Sequence, residues 1–179
     1  MRRCKPILIA AAILSTTFWP VASAMLTSAR ANQAVSPLFG IRIPAGYRDW
    51  KLISVAHEEG NLNDIRAILG NDVAMENYRQ EKRPFPDGTM IARISWNYIP
   101  SEANNKVFGR AQSFVPGSAP DWYLQIMVKD SSKYAATEGW GYAQFDKDGK
   151  PADEVKLKTC APCHEAGKAN DFVFTYYAP

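Results

Sequence analysis

Residues 89–99 read TMIARISWNYI, and their alternation is the clearest structural signal in this chain of 179 residues. The even-numbered residues from Met90 to Tyr98 are apolar or aromatic, whereas Arg93, Ser95 and Asn97 lie between them. Successive side chains of a β-strand point to opposite faces, so a period of two predicts a strand. Arg93 then belongs to the more polar face of that strand.

Similar short runs occur on both sides of this stretch. Residues 51–56, 64–69, 107–114, 122–129 and 140–145 are rich in apolar, β-branched or aromatic residues, and turn sequences such as PDG at 86–88 and VPGS at 115–118 separate them. The pattern predicts an α+β fold dominated by an antiparallel β-sheet with a few short helices. Helices are predicted at 72–82 and at 131–137, the second with Asp130 as N-cap and Gly139 beyond its end.

The C-terminal region contains the sequence Cys160-Ala161-Pro162-Cys163-His164. This C-x-x-C-H spacing is the attachment site of a c-type haem, in which both thiols bond to the macrocycle and the adjacent imidazole is an axial ligand of the iron. We therefore predict one covalently attached haem c per chain, held by Cys160 and Cys163, with His164 as the iron ligand. The motif is expected on a third short helix near the C-terminus, followed by an extended aromatic run at 172–177.

Two other interpretations use the same residues. A redox-active cysteine pair normally opens a helix after a strand of a βαβ unit, and the chain has no βαβ pattern. A structural zinc ion normally takes four ligands. Outside the motif His57 is the candidate for the fourth, and the adjacent Cys163 and His164 are poorly placed to chelate one metal. The motif therefore favours haem.

The N-terminus has the form of a secretory signal. Arg2, Arg3 and Lys5 precede an apolar stretch at 7–19 and a small-residue cleavage sequence, ASA at 22–24. We predict a signal peptide at 1–24, a flexible leader at 25–36, a haem domain at 37–179 and a periplasmic location. The alternative is an uncleaved membrane anchor, which is disfavoured because the apolar stretch is short for a bilayer span.

Loss of this signal would change the charge balance. The whole chain has 21 lysines and arginines against 18 aspartates and glutamates, and the signal holds three of the cations and no anion. The remaining chain would be formally neutral, so the sequence gives no indication of a nucleic-acid partner. Its length is that of one domain with one core.

Several segments taken together resemble the cytochrome P-460 family. They are IPAGYRDW at 43–50, DIR at 64–66, FPDGT at 85–89, VKDS at 128–131, CAPCH at 160–164 and DFVFT at 171–175. The resemblance implies a mainly β, periplasmic monohaem protein, usually a homodimer, with a histidine on the proximal side of the haem and an open distal side. Some relatives oxidise hydroxylamine and carry a lysine cross-linked to the haem. Others, the beta-type cytochromes c-prime, lack the cross-link and bind gases such as NO or CO.

Arg93 occupies the position at which the cross-linking lysine of the first group falls. A guanidinium stays protonated, so Arg93 is not expected to offer the amine lone pair that a desolvated lysine can offer. Lys82, Lys106 or Lys129 could take this part only under a different alignment. The resemblance therefore implies an ordinary c-type haem and weakens the inference of hydroxylamine oxidation.

The resemblance also aligns Arg66, Arg93 and Gln125 with positions that line the distal haem pocket. Alternation places Arg66 opposite Ile65 and Ala67, and Gln125 opposite its own apolar neighbours. We expect these three side chains to form a cationic, hydrogen-bonding surface that stabilises an iron-bound small molecule or holds a haem propionate. The alternative is that they are solvent-facing residues of a half-buried sheet.

The function depends on whether the iron has a sixth protein ligand. His57, Met75, Met90 and Met127 are the candidates, and Met127 is the strongest because it shares a face with Gln125. The resemblance implies no sixth ligand. We therefore expect a five-coordinate haem that binds or redox-converts a small molecule such as NO. The alternatives are oxidation of hydroxylamine or NO with a partner cytochrome as electron acceptor, and simple electron transfer.

Overall fold

The computed structural model describes residues 34–178. Over these residues it contains six strands: β1 (Lys51–Glu58), β2 (Asp64–Gly70), β3 (Met90–Pro100), β4 (Phe114–Pro116), β5 (Leu124–Lys129) and β6 (Trp140–Phe145). The α-helices are α1 (Asp72–Arg79), α2 (Glu102–Phe108), α3 (Glu154–Leu157) and α4 (Cys160–His164), and 3-10 turns occur at Tyr47–Asp49, Ala135–Thr137 and Glu165–Asn170.

The N-terminal predictions fall mostly beyond this part of the chain. The signal peptide predicted at 1–24 lies outside the described residues, as does most of the leader predicted at 25–36. At the end of that leader, Val35 pairs with Arg42 and Ser36 is fully buried, so the fold begins before residue 37. No helix between residues 34 and 178 has the length and apolar character needed to cross a bilayer.

The strands form one antiparallel sheet in the order β1-β2-β3-β5-β6, and β4 pairs with the C-terminal end of β3. The prediction of an α+β fold dominated by an antiparallel sheet with a few short helices is confirmed. The long strand β3 lies in the middle of the sheet, where Arg93 is opposite Ile68 of β2 and Gln125 of β5. Residues directly opposite each other in an antiparallel pair share a face, so these three side chains point to the same side.

The sheet buries both of its faces, which we call the Arg93 face and the Ala92 face after the neighbouring residues of β3. On the Arg93 face, sheet residues such as Ile68, Ile91 and Tyr142 form a core with α1 and with Phe172 and Val173. On the Ala92 face the sheet core consists of Leu69, Ala92, Ile94, Leu124, Ile126, Ala143 and Phe145. The segment around Phe39, Ile41, Tyr47 and Trp50 covers it, together with Tyr134.

The strand predicted at 107–114 is wrong. Residues Glu102–Phe108 form α2, and the short strand β4 begins only at Phe114. Ser101 caps the helix by accepting a hydrogen bond from the Asn104 amide, and Gly109 ends it with a positive φ of 67°. These two terminal signals outweigh the β-branched and aromatic composition of the run, which is a weak local preference.

Two helix predictions are right in place but too long. Helix α1 begins after Asn71, whose side chain accepts a hydrogen bond from the Ala74 amide, and it ends at Arg79 rather than at 82. The segment predicted as a helix at 131–137 is a turn followed by a 3-10 helix at Ala135–Thr137. No α-helix forms here because the amides of Thr137 and Gly139 both donate to the Tyr134 carbonyl, which ends the segment in a tight turn.

Candidate haem-binding site

Helix α4 carries the C-x-x-C-H motif on a single turn beneath the Arg93 face. The preceding helix α3 is capped by Asp153, and the Cys163 amide donates to the Thr159 carbonyl at 3.2 Å. Cys160 is half-buried against the core of the Arg93 face, whereas Cys163 is exposed, and both are free thiols. Burial raises the pKa of the Cys160 thiol. The helix therefore presents two unpaired sulfurs three residues apart, one beside the core and one toward solvent.

His164 is held by one short hydrogen bond and two aromatic rings. Its Nδ1 lies 2.6 Å from the carbonyl oxygen of Phe172, and its ring centroid lies 4.9 Å from those of Tyr142 and Phe174. A carbonyl only accepts hydrogen bonds, so Nδ1 carries the proton and Nε2 keeps its lone pair. Burial lowers the pKa of His164, which favours this neutral form. The ring is therefore held in a neutral tautomer whose Nε2 lone pair is available to bind a metal.

Arg93 is a mostly buried cation without a hydrogen-bonding partner at Nε. Within residues 34–178 the structure shows no ion pair of its guanidinium with a carboxylate. Burial, followed by repulsion from Arg66, lowers the pKa of Arg93 to about 10. The charge of Arg93 also contributes to lowering the pKa of His164. The two side chains therefore interact electrostatically on the same side of the sheet.

Arg66 lies on the same face but is fully paired. Its Nε and Nη2 donate to Asp64 Oδ1 at 2.9 and 2.6 Å, and its Nη1 donates to Glu58 Oε1 at 3.0 Å. Asp64 is completely buried, and its other oxygen accepts a hydrogen bond from the indole of Trp122 at 3.2 Å. The positive charge of Arg66 is therefore neutralised within the sheet, whereas that of Arg93 has no direct partner in the part of the chain that the structure describes.

Gln125 completes the group of three side chains predicted from the sequence. It lies opposite Arg93 on β5 and donates through Nε2 to Gln144 Oε1 at 3.0 Å on β6. The structure therefore brings Arg66, Arg93 and Gln125 together on the face that α4 covers. Arg66 is buried, Arg93 is mostly buried and Gln125 is partly buried, so none of the three is a freely solvated residue on an open sheet.

A family model described as cytochrome P460 matches residues 44–175, which is most of the chain. The chain belongs to the cytochrome P460 family. The resemblance to P-460 that the sequence segments indicated is thereby confirmed, and family membership supports a c-type haem cytochrome that binds haem and iron. No curated protein sequence matches the chain.

The residues of this cytochrome fit a haem. The motif supplies two free thiols on one helical turn and an imidazole with an available Nε2. Among the described residues, three buried side-chain atoms on the Arg93 face lack a hydrogen-bond partner, namely Arg93 Nε, Ser95 Oγ and Trp140 Nε1. Buried polar groups in native proteins are rarely left unpaired. Their lack of partners is consistent with a polar group binding at this face.

The three lysines considered as alternative cross-linking residues are either ion-paired or exposed in this cytochrome. Lys129 is buried and its Nζ lies 2.9 Å from Asp171 Oδ1 in an ion pair. Lys82 is exposed beyond the end of α1, and Lys106 lies on the exposed α2. Arg93, which the family resemblance aligned with the cross-linking lysine, lies on β3 opposite Gln125.

The candidates for a sixth iron ligand divide between the two faces. His57 lies on the side opposite Ala56, away from the core of the Arg93 face, and its ring stacks on Tyr98 with centroids 3.9 Å apart. Met90 shares the Ala92 face, whereas Met75 lies on α1 and is buried in the core of the Arg93 face. Met127 lies opposite Ile91 and packs against the core of the Arg93 face. Met75 and Met127 therefore both pack in the core that α4 contacts, and Met127 is the one that belongs to the sheet itself.

Several side chains around the site were not singled out in the sequence. Asp64 neutralises Arg66, Tyr142 flanks His164, and the Phe172 carbonyl binds the imidazole. The DFVFT segment at 171–175 was part of the family resemblance, but no local pattern indicates that one of its carbonyls reaches His164 eight residues earlier. Only the folded backbone brings these groups together.

Proposed function

We propose that this protein is a monohaem c-type cytochrome that binds a small molecule such as NO at an open side of the haem facing Arg93. The observation that carries the proposal is the unpaired, mostly buried guanidinium of Arg93 on the sheet face that α4 and His164 cover. A buried cation without a partner is unfavourable in the protein alone. It becomes favourable when a bound group supplies negative charge or a hydrogen-bond acceptor.

Attachment of one haem through Cys160 and Cys163 is part of this proposal. Each thiol would add across one vinyl group, so that a sulfur–carbon bond forms and the thiol hydrogen passes to the other vinyl carbon, with no oxidant required. His164 would be the proximal ligand through Nε2, because Nδ1 is already engaged by Phe172. The bound iron would supply a one-electron couple and a coordination position for a small molecule.

Arg93, Arg66 and Gln125 would have different roles in ligand binding. Arg93 is the donor with free capacity and would hydrogen-bond the small molecule or a haem propionate. Arg66 is committed to Asp64 and Glu58, so it would act through its charge and by holding that network in place. Gln125 already donates to Gln144 and would add a neutral polar contact.

The lysine positions support an ordinary haem c. Arg93 stands where hydroxylamine-oxidising relatives carry their cross-linking lysine, and Lys129 is engaged with Asp171. A guanidinium is a poor nucleophile because it remains protonated. We therefore propose reversible binding or redox conversion of a nitrogen oxide as the leading function, and hydroxylamine or NO oxidation as the enzymatic alternative.

A second candidate function rests on Met127. Its side chain packs on the Arg93 face, where a thioether ligand would make the iron six-coordinate. Such a protein would transfer electrons and would not bind NO readily. For either function we propose export to the periplasm through the N-terminal signal, a redox partner cytochrome and a homodimer, as the family resemblance implies.

The test is the absorption spectrum of the purified haem-loaded protein, ferric and dithionite-reduced, with and without NO. A high-spin c-type spectrum that shifts on addition of NO is the expected result. A strongly red-shifted Soret band in the reduced protein would restore the cross-linked, hydroxylamine-oxidising alternative. A low-spin spectrum indifferent to NO would favour the electron carrier.

Arg93→Met sharpens this test. A hydrogen bond from a charged group contributes about 1.5–3 kcal/mol, so its loss should weaken ligand binding by roughly 10-fold or more. Arg48→Met is the matched control, because Arg48 is exposed and contacts Tyr123, which packs on the Ala92 face. Equal affinities in the parent and in Arg93→Met would remove Arg93 from the binding site.

A further inference from the structure

We propose that Lys129 and Asp171 are positioning residues for His164. Their buried ion pair fixes the segment whose Phe172 carbonyl accepts the hydrogen bond from His164 Nδ1, and thereby sets how strongly that imidazole donates to a bound metal. The proposal rests on the proposed role of His164 as iron ligand. It does not depend on which small molecule binds at the distal side or on Arg93.

The ion pair is fully engaged and almost dry. Lys129 Nζ lies 2.9 and 3.1 Å from the two carboxylate oxygens of Asp171, and it also donates to the Glu138 carbonyl at 3.1 Å. The side chains of Lys129 and Asp171 are 8% and 9% exposed. The ammonium group also lies 4.9 Å from the centroid of the Trp140 ring. Such a buried pair holds its two backbones in a fixed relation, because separating the charges leaves each without compensation.

Asp171 also connects this ion pair to the loop that precedes β3. Its Oδ2 accepts a hydrogen bond from the Phe85 amide at 2.8 Å, so the carboxylate joins the loop before β3 and the end of β5. The pairing therefore ties the residue next to Phe172 to the rigid sheet. This arrangement connects three segments that were recognised separately in the sequence, FPDGT, VKDS and DFVFT.

The backbone between Asp171 and the carbonyl is held in an unusual conformation. Asp171 and Phe172 have positive φ angles of 52° and 64°, which side-chain-bearing residues adopt infrequently. Two consecutive left-handed residues persist only where their surroundings hold them. The Phe172 amide donates to the Gly167 carbonyl at 2.9 Å, and the Asp171 carboxylate is clamped by Lys129. These contacts orient the Phe172 peptide so that its oxygen meets His164.

Asn170 is a second anchor of the C-terminal segment, so loss of the ion pair alone should displace that segment only slightly. Asn170 accepts a hydrogen bond from Arg83 Nε at 2.7 Å and donates to the Val173 carbonyl at 2.7 Å. Because Asn170 holds the segment independently, loss of the ion pair should loosen the Phe172 carbonyl without releasing the whole C-terminal region. We therefore expect a change in the properties of His164 rather than loss of the fold.

The hydrogen bond at Nδ1 matters because it acts through the imidazole ring. Donation from Nδ1–H to a carbonyl raises the basicity of Nε2 and fixes the ring orientation. A more basic axial ligand stabilises the oxidised form of the metal and strengthens the bond from nitrogen to metal. A loosened Phe172 carbonyl should therefore raise the reduction potential and weaken the histidine–iron bond.

The experiment compares haem-loaded Lys129→Met with the parent by redox titration and by the histidine–iron stretching band in the ferrous resonance Raman spectrum. We expect a 3- to 10-fold rise in the ratio of ferrous to ferric protein at a fixed ambient potential, about 30–60 mV at 59 mV per tenfold. The stretching band should move to lower frequency. If Lys129→Met does not fold, the double variant Lys129→Met/Asp171→Asn removes both charges together and should show the same shifts.

Two further variants separate positioning from general structural damage. Lys129→Arg keeps a cationic donor for Asp171 and should restore both readouts toward the parent values. Lys51→Met is the matched control, because it removes a lysine from an ion pair with Asp72 at 2.6 Å on the exposed surface. It should leave the potential and the stretching band unchanged.

Failure of the proposed function and failure of the positioning role would give different results. A parent protein without covalent haem, or without a histidine–iron band that His164→Ala removes, would overturn the proposed function. A parent with that band, and a folded double variant with the same band and potential as the parent, would overturn the positioning role alone. A shift of the same size in Lys51→Met would also overturn it.

Discussion

The two faces of the sheet are built from the same strands but have opposite chemical character. The sheet residues that form the core of the Ala92 face, among them Ile94, Ile126 and Phe145, are all apolar. The Arg93 face combines an apolar core with buried polar side chains, and three of its buried polar atoms lack a hydrogen-bond partner within residues 34–178. The Ala92 face therefore stabilises the domain by burial of apolar surface, while the Arg93 face also holds polar groups that need a further hydrogen-bond partner.

Matched truncations on β6 test this division with the largest expected effects. Phe145 and Tyr142 are almost completely buried on the Ala92 face and the Arg93 face respectively. Phe145→Ala and Tyr142→Ala should each lower the free energy of unfolding by about 3–5 kcal/mol. Only Tyr142→Ala should also change the haem spectrum, because the Tyr142 ring contacts His164. Urea unfolding and absorption spectroscopy measure the two effects, and an equal spectral change in Phe145→Ala would contradict the division.

The two arginines of the Arg93 face make the next comparison. Arg66→Met leaves the fully buried Asp64 without its cation, so the free energy of unfolding should fall by about 3 kcal/mol. Arg93→Met removes a charge that has no direct hydrogen-bonded or ion-paired partner among residues 34–178, so the stability of the haem-free protein should be unchanged or increased. Denaturant unfolding of both variants without haem measures the difference. A large loss of stability in Arg93→Met would show that Arg93 has a structural partner.

The smallest expected effect concerns a contact at the rim of the sheet. Hydrogen bonds from the Ser131 hydroxyl, at 2.7 Å, and from the Ser131 amide, at 2.8 Å, lower the pKa of Asp87. A carboxyl with a lowered pKa in the folded protein contributes stability above its ordinary pKa. That contribution is lost as the pH falls through the folded value.

Ser131→Ala removes the hydroxyl and should move the pKa of Asp87 upward, toward its ordinary value. A carboxyl titration by nuclear magnetic resonance measures the change, with Ser54→Ala as a control because the Ser54 hydroxyl donates to a backbone carbonyl at the other end of the sheet. The haem spectrum should not change in either variant. An unchanged Asp87 pKa in Ser131→Ala would assign the shift to the amide alone.

Local sequence patterns predicted the elements whose own residues contain the signal. The alternation at 89–99 predicted β3, which the structure has at Met90–Pro100, and the turn sequence at 86–88 marked its start. The prediction failed at 107–114, where a cap at Ser101 and Gly109 produced α2 in place of a strand. Strand propensity depends on side chains packing against neighbouring strands. None of the residues of α2 is buried, so this contribution is absent.

The sequence by itself determined the antiparallel sheet, the side of β3 on which Arg93 lies and the C-x-x-C-H motif, because each depends on residues a few positions apart. Only the tertiary structure decided that Arg66 is neutralised by Asp64 and Glu58 while Arg93 remains unpaired. It also decided that Lys129 meets Asp171 and that Phe172 binds His164. Periodicity shows on which face of its own strand a side chain lies. The segments that cover that face are distant in the sequence, and only folding brings them into contact with it.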